Sequence, residues 1–186
     1  MSVLTIESAR AAGLRKDEVY RMMRAGELER IGRGVYIRPG EIDPAVASLA
    51  GAAAVKPDAT MCLTSALAYH ELSDQIAFAT DIALPRGTRF PAGFEHVAWH
   101  SFDPGTFEIG RIRMARHPEM GLWVYSAERT IVDAFRLAHR EGIDQATEAL
   151  RRWVRRAGNS PSALLRAADA FPRTAPAIRQ ALQVLL

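Results

Sequence analysis

Lys16, Tyr20 and Arg24 recur four residues apart, with Arg21 beside them, shortly before a Gly32-Arg33-Gly34 turn. On a helix that spacing places the first three on one face. Cationic and phenolic side chains in a row suit contacts to phosphates and base edges, so the chemistry indicated is binding rather than bond-making. Bond-making constellations do not emerge elsewhere. The histidines are His70, His96, His100, His117 and His139, and none stands in an HExxH pattern or beside Cys62 at metal spacing. His96 and His100 share a face of an expected strand, but no third ligand is placed near them. Neither GxSxG nor GxxxxGK[ST] occurs. Glu128 and Asp133 flank Arg129 and Thr130, so they read as a helix cap and an Arg129–Asp133 salt bridge rather than an acid pair. Cys62, in an apolar helix, reads as a small core residue. The expectation is a protein that is not an enzyme, with no catalytic residues, no metal and no cofactor.

The elements that must carry the basic row follow from local signals. Residues 6–12 suit a short helix, capped by Thr5 or Ser8 and ended by Gly13. A second helix is expected over about 15–25, with Val19, Met22 and Met23 as its apolar stripe and Gly26 as its stop. Residues 28–31 and 35–37 read as two strands of a hairpin, the glycines supplying the tight turn. Helix, turn, helix and hairpin is the plan of a winged helix-turn-helix, whose second helix enters the major groove. Arg33 at the hairpin tip is then placed near phosphate or in the minor groove. Only residues 1–4 precede the first helix, so the unit is expected to be one helix short.

The chain has 186 residues and a net charge of +3. That average hides a division. Residues 1–40 carry 8 basic and 5 acidic side chains, residues 41–150 carry 9 and 15, and residues 151–186 carry 7 and 1. Two basic ends therefore flank an acidic middle, and all but two of the basic residues are arginine. Basic segments are electrostatic footprints for nucleic acid or for an acidic partner. One cysteine excludes an intrachain disulfide framework, and no apolar run is long enough to span a bilayer. The expected setting is cytoplasmic, with no membrane partner.

Beyond residue 40, Asp43 and Pro44 open a helix through Val55, and a compact helix capped by Thr64 or Ser65 follows. Strands are expected at 79–84, 96–100, 109–115 and 122–125. Ser126 caps a helix with Ile131, Ala134, Phe135 and Ala138 inward, running to Gly142. Residues 143–157 form another, with Ala146, Ala149, Leu150 and Trp153 inward and Arg151, Arg152, Arg155 and Arg156 outward. Those four arginines are a candidate partner or DNA patch. Helices over 162–170 and 176–186 close the chain. The expected fold is α+β: a shortened winged helix-turn-helix over 1–40, then an α+β domain over 41–186 ending in a helical bundle.

Four blocks, ARAAGLRKDEVYRMMRAGELERIGRGVYIRPG, LTSALAYHEL, DIALPRG and VYSAERTIVDAFRLA, together resemble the AbiEi antitoxins of type IV toxin–antitoxin systems. The conjunction of RGVY, SAL-x-x-H-x-L and ERTIVD is more specific than any block alone. The resemblance implies a transcriptional regulator that binds double-stranded DNA at its own promoter as a repressor. It also implies an antitoxin that counteracts a cognate nucleotidyltransferase toxin, functionally rather than in a stable complex. Its DNA-binding positions fall on Arg15, Lys16, Tyr20, Arg21 and Arg24 in the second helix and on Arg30, Arg33 and Arg38 in the wing. Ser65, His70, Glu128, Arg129, Thr130 and Asp133 match the family pattern as structural ties. Two alternatives stay open: a protein-interaction module that has lost DNA binding, and a stand-alone winged-helix regulator without a toxin.

Overall fold

The computed structural model describes residues 3–185. The expected contributions of Met1, Ser2 and Leu186 lie outside them. The described residues open on a strand that local sequence signals do not indicate, β1 (Val3–Thr5), followed by α1 (Ile6–Ala11) and α2 (Lys16–Arg24). Thr5 and Ser8 cap α1 reciprocally: Ser8 N donates to Thr5 Oγ1 at 3.0 Å and Thr5 N to Ser8 Oγ at 2.9 Å. Gly13, at φ +82°, turns the chain into α2. The hairpin is β2 (Glu29–Gly32) and β3 (Val35–Ile37), and β1 pairs antiparallel with β3 to make a sheet ordered β1-β3-β2. Val3 and Leu4 carry too short an apolar run to signal a strand. Their pairing with Ile37 and Tyr36 is settled by contacts more than thirty residues away in sequence.

α3 (Pro44–Val55), capped by Asp43 as expected, packs against all three strands of this sheet. An element that follows the hairpin thus covers one apolar face of this sheet. The small side chains of α3 permit the close approach, and Gly51 sits against Ile31 and Phe94. Val35, Ile37, Val46, Leu49, Met61, Ile82 and Val124 share one buried cluster. The hydrophobic core therefore runs without a break from the first sheet into the second.

The second sheet is ordered β6-β5-β4-β8-β7, from β4 (Thr60–Met61), β5 (Thr80–Pro85), β6 (Val97–Phe102), β7 (Arg111–Arg113) and β8 (Trp123–Tyr125). β4 was not anticipated: two residues give no periodicity, and its place between β5 and β8 is a tertiary outcome. α4 (Leu63–Tyr69) starts earlier than expected, after Cys62, and neither Thr64 nor Ser65 caps it. Their hydroxyls are engaged elsewhere: Gln145 Nε2 donates to Thr64 Oγ1 at 3.0 Å, and Ser65 Oγ receives the Asp81 N–H at 2.8 Å. α5 (Pro104–Phe107) is a single turn.

The helix expected from Ser126 to Gly142 breaks at Leu137 into α6 (Ala127–Arg136) and α7 (Ala138–Glu141). α8 (Ile143–Val154) stops three residues short of its expected end, and α9 (Pro161–Ala168) and α10 (Ala175–Leu185) follow. A second cluster, with Ile131, Phe135, Leu150, Trp153, Leu164, Ile178 and Leu182, joins α6, α8, α9 and α10. Among the described residues no helix is long and apolar enough to cross a membrane.

Candidate nucleic-acid interface

α2 buries Val19 and half-buries Met22 and Met23, which turns Lys16, Tyr20, Arg21 and Arg24 outward. Its N-terminus is fixed by Glu18, whose Oε2 accepts the Arg15 N–H at 2.8 Å. The hairpin projects beside it. Lys16 and Tyr20 from α2 face Arg30 and Arg33 from the hairpin across a cleft of about 720 Å³, with Tyr36 in its wall and Glu7 the one acid lining it. Two elements separated by a turn thus converge three cations and two phenols on one concavity.

Each side chain is held in a particular way. Lys16 Nζ lies 5.7 Å from the Tyr20 ring centroid, a cation–π distance. Arg24 Nε donates to Tyr20 O at 3.4 Å, and Arg30 Nε to Gly32 O at 3.1 Å. Burial pushes the Tyr36 phenol above its ordinary value, the neighbouring Tyr20 adds to this and Arg30 opposes it, so Tyr36 stays a neutral hydrogen-bond donor. Arg21 and Arg24 are exposed on α2 but do not line the cleft. Arg15 and Arg38 do not line it either, and both are engaged in exposed ion pairs: Arg15 with Asp17 and Glu18, Arg38 with Glu41 at 3.8 Å. Of the eight positions expected to contact DNA, the structure gathers Lys16, Tyr20, Arg30 and Arg33 around one cleft.

One contributor was not legible in the sequence. The loop after β5 reaches the hairpin tip, where Arg33 N donates to Ala92 O at 3.0 Å. Gly93, at φ +78°, is so close that a Cβ there would lie 2.9 Å from Arg33 N. Next to it the Phe94 ring rests on Gly32, where a Cβ would lie 2.5 Å from Cζ. The available signal was PAGF, a glycine and an aromatic in a turn.

The second expected patch is largely engaged within the chain. Arg151 Nη1 meets Glu148 Oε2 at 2.5 Å, and Arg152 pairs with Glu148 at 3.0 Å and with Asp74 at 2.5 Å. The hydrogen bond from Arg152 holds the Asp74 carboxyl below its ordinary value, and Arg152 and Arg151 do the same for Glu148. Arg156 donates to His70 O and Glu71 O, both at 2.7 Å. Arg155 alone of the four has no ion-pair partner among the described residues.

The remaining candidate groups are structural ties. His100 Nε2 lies 2.9 Å from Asp81 Oδ1, and Asp81 also accepts the Ser65 N–H; Ser65 contacts the aspartate and not the histidine, so no nucleophile–base pair exists there. His70 Nε2 donates to Tyr125 O at 2.7 Å. Thr130 Oγ1 donates to Ser126 O at 2.8 Å, and Ser126 caps α6 as expected. Arg129 pairs with Asp133 at 2.9 Å, as the sequence indicated, and the structure buries the pair. Among the described residues no group of three or more His, Cys, Asp or Glu could hold a metal ion.

Residues 1–39 match the family model described as transcriptional regulator, AbiEi antitoxin. The AbiEi-like stretch runs from β1 to the end of the hairpin, so it contains α2 and every cleft side chain named above. It stops before α3 and covers none of the second sheet. No curated protein matches the chain.

Proposed function

We propose that the chain is a DNA-binding transcriptional autorepressor and the antitoxin of a type IV toxin–antitoxin system. In this reading residues 1–40 are a winged helix-turn-helix: α2 enters the major groove of the chain's own promoter and the hairpin tip lies against the phosphates. Residues 41–186 form the antitoxin domain, with α6 to α10 as its helical bundle, and counteract a nucleotidyltransferase toxin without a stable complex. The protein works in the cytoplasm and catalyses nothing itself. The observation that carries the reading is the convergence of Lys16, Tyr20, Arg30 and Arg33 on one cleft inside the AbiEi-like stretch. Arginine and lysine supply sequence-independent affinity, and α2 supplies base readout. A gel shift on the duplex upstream of the chain's own gene tests it. Binding is expected, weakened by Arg24→Ala and by Arg33→Ala; unchanged binding for both variants refutes this face.

A second reading, a protein-interaction module, is favoured by Ile76 and Phe78, which are 91% and 103% exposed in the segment between α4 and β5. Coexpression with the neighbouring gene separates the two. Growth rescue that survives Ile76→Ser with Phe78→Ser supports the first reading, and rescue lost in that variant supports the second.

A further inference from the structure

We infer that the loop between β5 and β6 is a second wing, and that Arg89 on it contacts the phosphates of duplex DNA beside those met by Arg33. This rests on the DNA-binding reading above.

The loop is tied to the first wing at its tip. Arg33 N donates to Ala92 O, Gly93 approaches Arg33 within the space of a single Cβ, and Phe94 is buried against Gly32. Its other end is tied down as well: Phe90 stacks on Trp99 with ring centroids 5.7 Å apart, Thr88 N donates to Pro85 O, and Arg86 N to Phe102 O. Arg89 therefore projects from a segment anchored on both sides, which lowers the entropy lost on contact with a ligand. It stands four positions before Gly93, a span of at most about 14 Å. That is comparable with the width of the major groove, about 12 Å, so a duplex lying against Arg33 passes within reach.

The charges agree. The middle segment is acidic overall, yet this loop carries Arg86, Arg89 and a single acid, Glu95. Arg86 is spent on Asp103 at 3.2 Å. Arg89 is exposed and has no ion-pair partner among the described residues. An unpaired arginine on a braced loop, next to a hairpin tip that itself carries an arginine, is the disposition a phosphate contact requires.

The test measures affinity of the full chain for its upstream duplex and for a scrambled duplex of equal length, from 50 to 200 mM salt. One lost phosphate contact lowers the slope of log K against log salt by about 0.9. Arg89→Ala is expected to weaken both duplexes alike, with a deficit about 3.5-fold smaller at 200 mM than at 50 mM. Arg89→Lys keeps the slope, and Arg179→Ala, on α10, changes nothing. If Arg33→Ala lowers the slope and Arg89→Ala leaves it unchanged, the second wing is refuted and the first stands. If the wild-type chain binds neither duplex, the DNA-binding reading fails and this inference fails with it.

Discussion

Replacing Arg129 with methionine should destabilise the fold severely without altering the cleft between α2 and the hairpin in the molecules that remain folded. Arg129 is 1% exposed. Its Nε donates to Asp133 Oδ2 at 2.9 Å, and its Nη1 donates to Thr106 O and Ile109 O, both at 2.6 Å. The guanidinium lies 4.4 Å from the Tyr125 ring centroid and 4.5 Å from that of Phe171. One side chain thus ties α6 to α5 and the turn that follows it, and to the approach to α10. Methionine fills a similar volume and leaves the Ile109 carbonyl without its donor, at about 1–3 kcal/mol where water cannot replace it, while Thr106 O keeps the Ile109 N–H at 3.3 Å. Asp133 keeps Arg136 at 2.9 Å but loses its buried partner. The total is about 4 kcal/mol, in line with the cost of breaking a buried ion pair from one side. In a chain of this length that lowers Tm by roughly 8–16 °C. Urea and thermal unfolding followed by circular dichroism measure it. Asp133→Ala should cost a similar amount, and the double variant less than the sum by at least about 1 kcal/mol, because the two residues share one interaction. A loss under about 1 kcal/mol for Arg129→Met, or strict additivity, would refute the reasoning. At a temperature where the variant remains folded its affinity for DNA should equal that of the wild type, since the cleft shares no residue with this network.

Burial lowers the pKa of His70 below its ordinary 6.5, so the unfolded chain binds a proton there that the folded chain refuses. The resulting stability is present above pH 6.5 and is lost as pH falls below it; His70→Gln should flatten the dependence of ΔG on pH over that window in urea titrations. Gly32→Ala places a Cβ 2.5 Å from the Phe94 ring and should cost about 1–3 kcal/mol by overpacking, with partial recovery in the Gly32→Ala, Phe94→Leu double variant measured by thermal melting. Asp81→Ala removes the acceptor for Ser65 N and the partner of His100, and should lower stability in urea by about 1.5–3 kcal/mol, with Asp81→Asn recovering part of it.

Much of the local structure was written in the sequence. Thr5, Asp43 and Ser126 cap the helices they were expected to cap, and the Val19 stripe sets the outward face of α2. Those signals act within four residues, where spacing alone fixes which groups meet. The Arg129–Asp133 pair was legible for the same reason, but its burial was not. Only the tertiary structure set β1 against β3, slotted two-residue β4 between β5 and β8, and moved Ser65 from a helix cap to a tie on Asp81. It also matched Arg152 to Asp74 and Arg156 to the carbonyls of His70 and Glu71, which removes most of the expected C-terminal patch from the surface charge available to a partner. The decisive addition at the candidate interface is the Ala92–Phe94 segment on the hairpin tip. These pairings join residues far apart in the chain, so they depend on how the two sheets and α3 pack. The sequence by itself determined which residues α2 and the hairpin present; the packing decided what stands beside them.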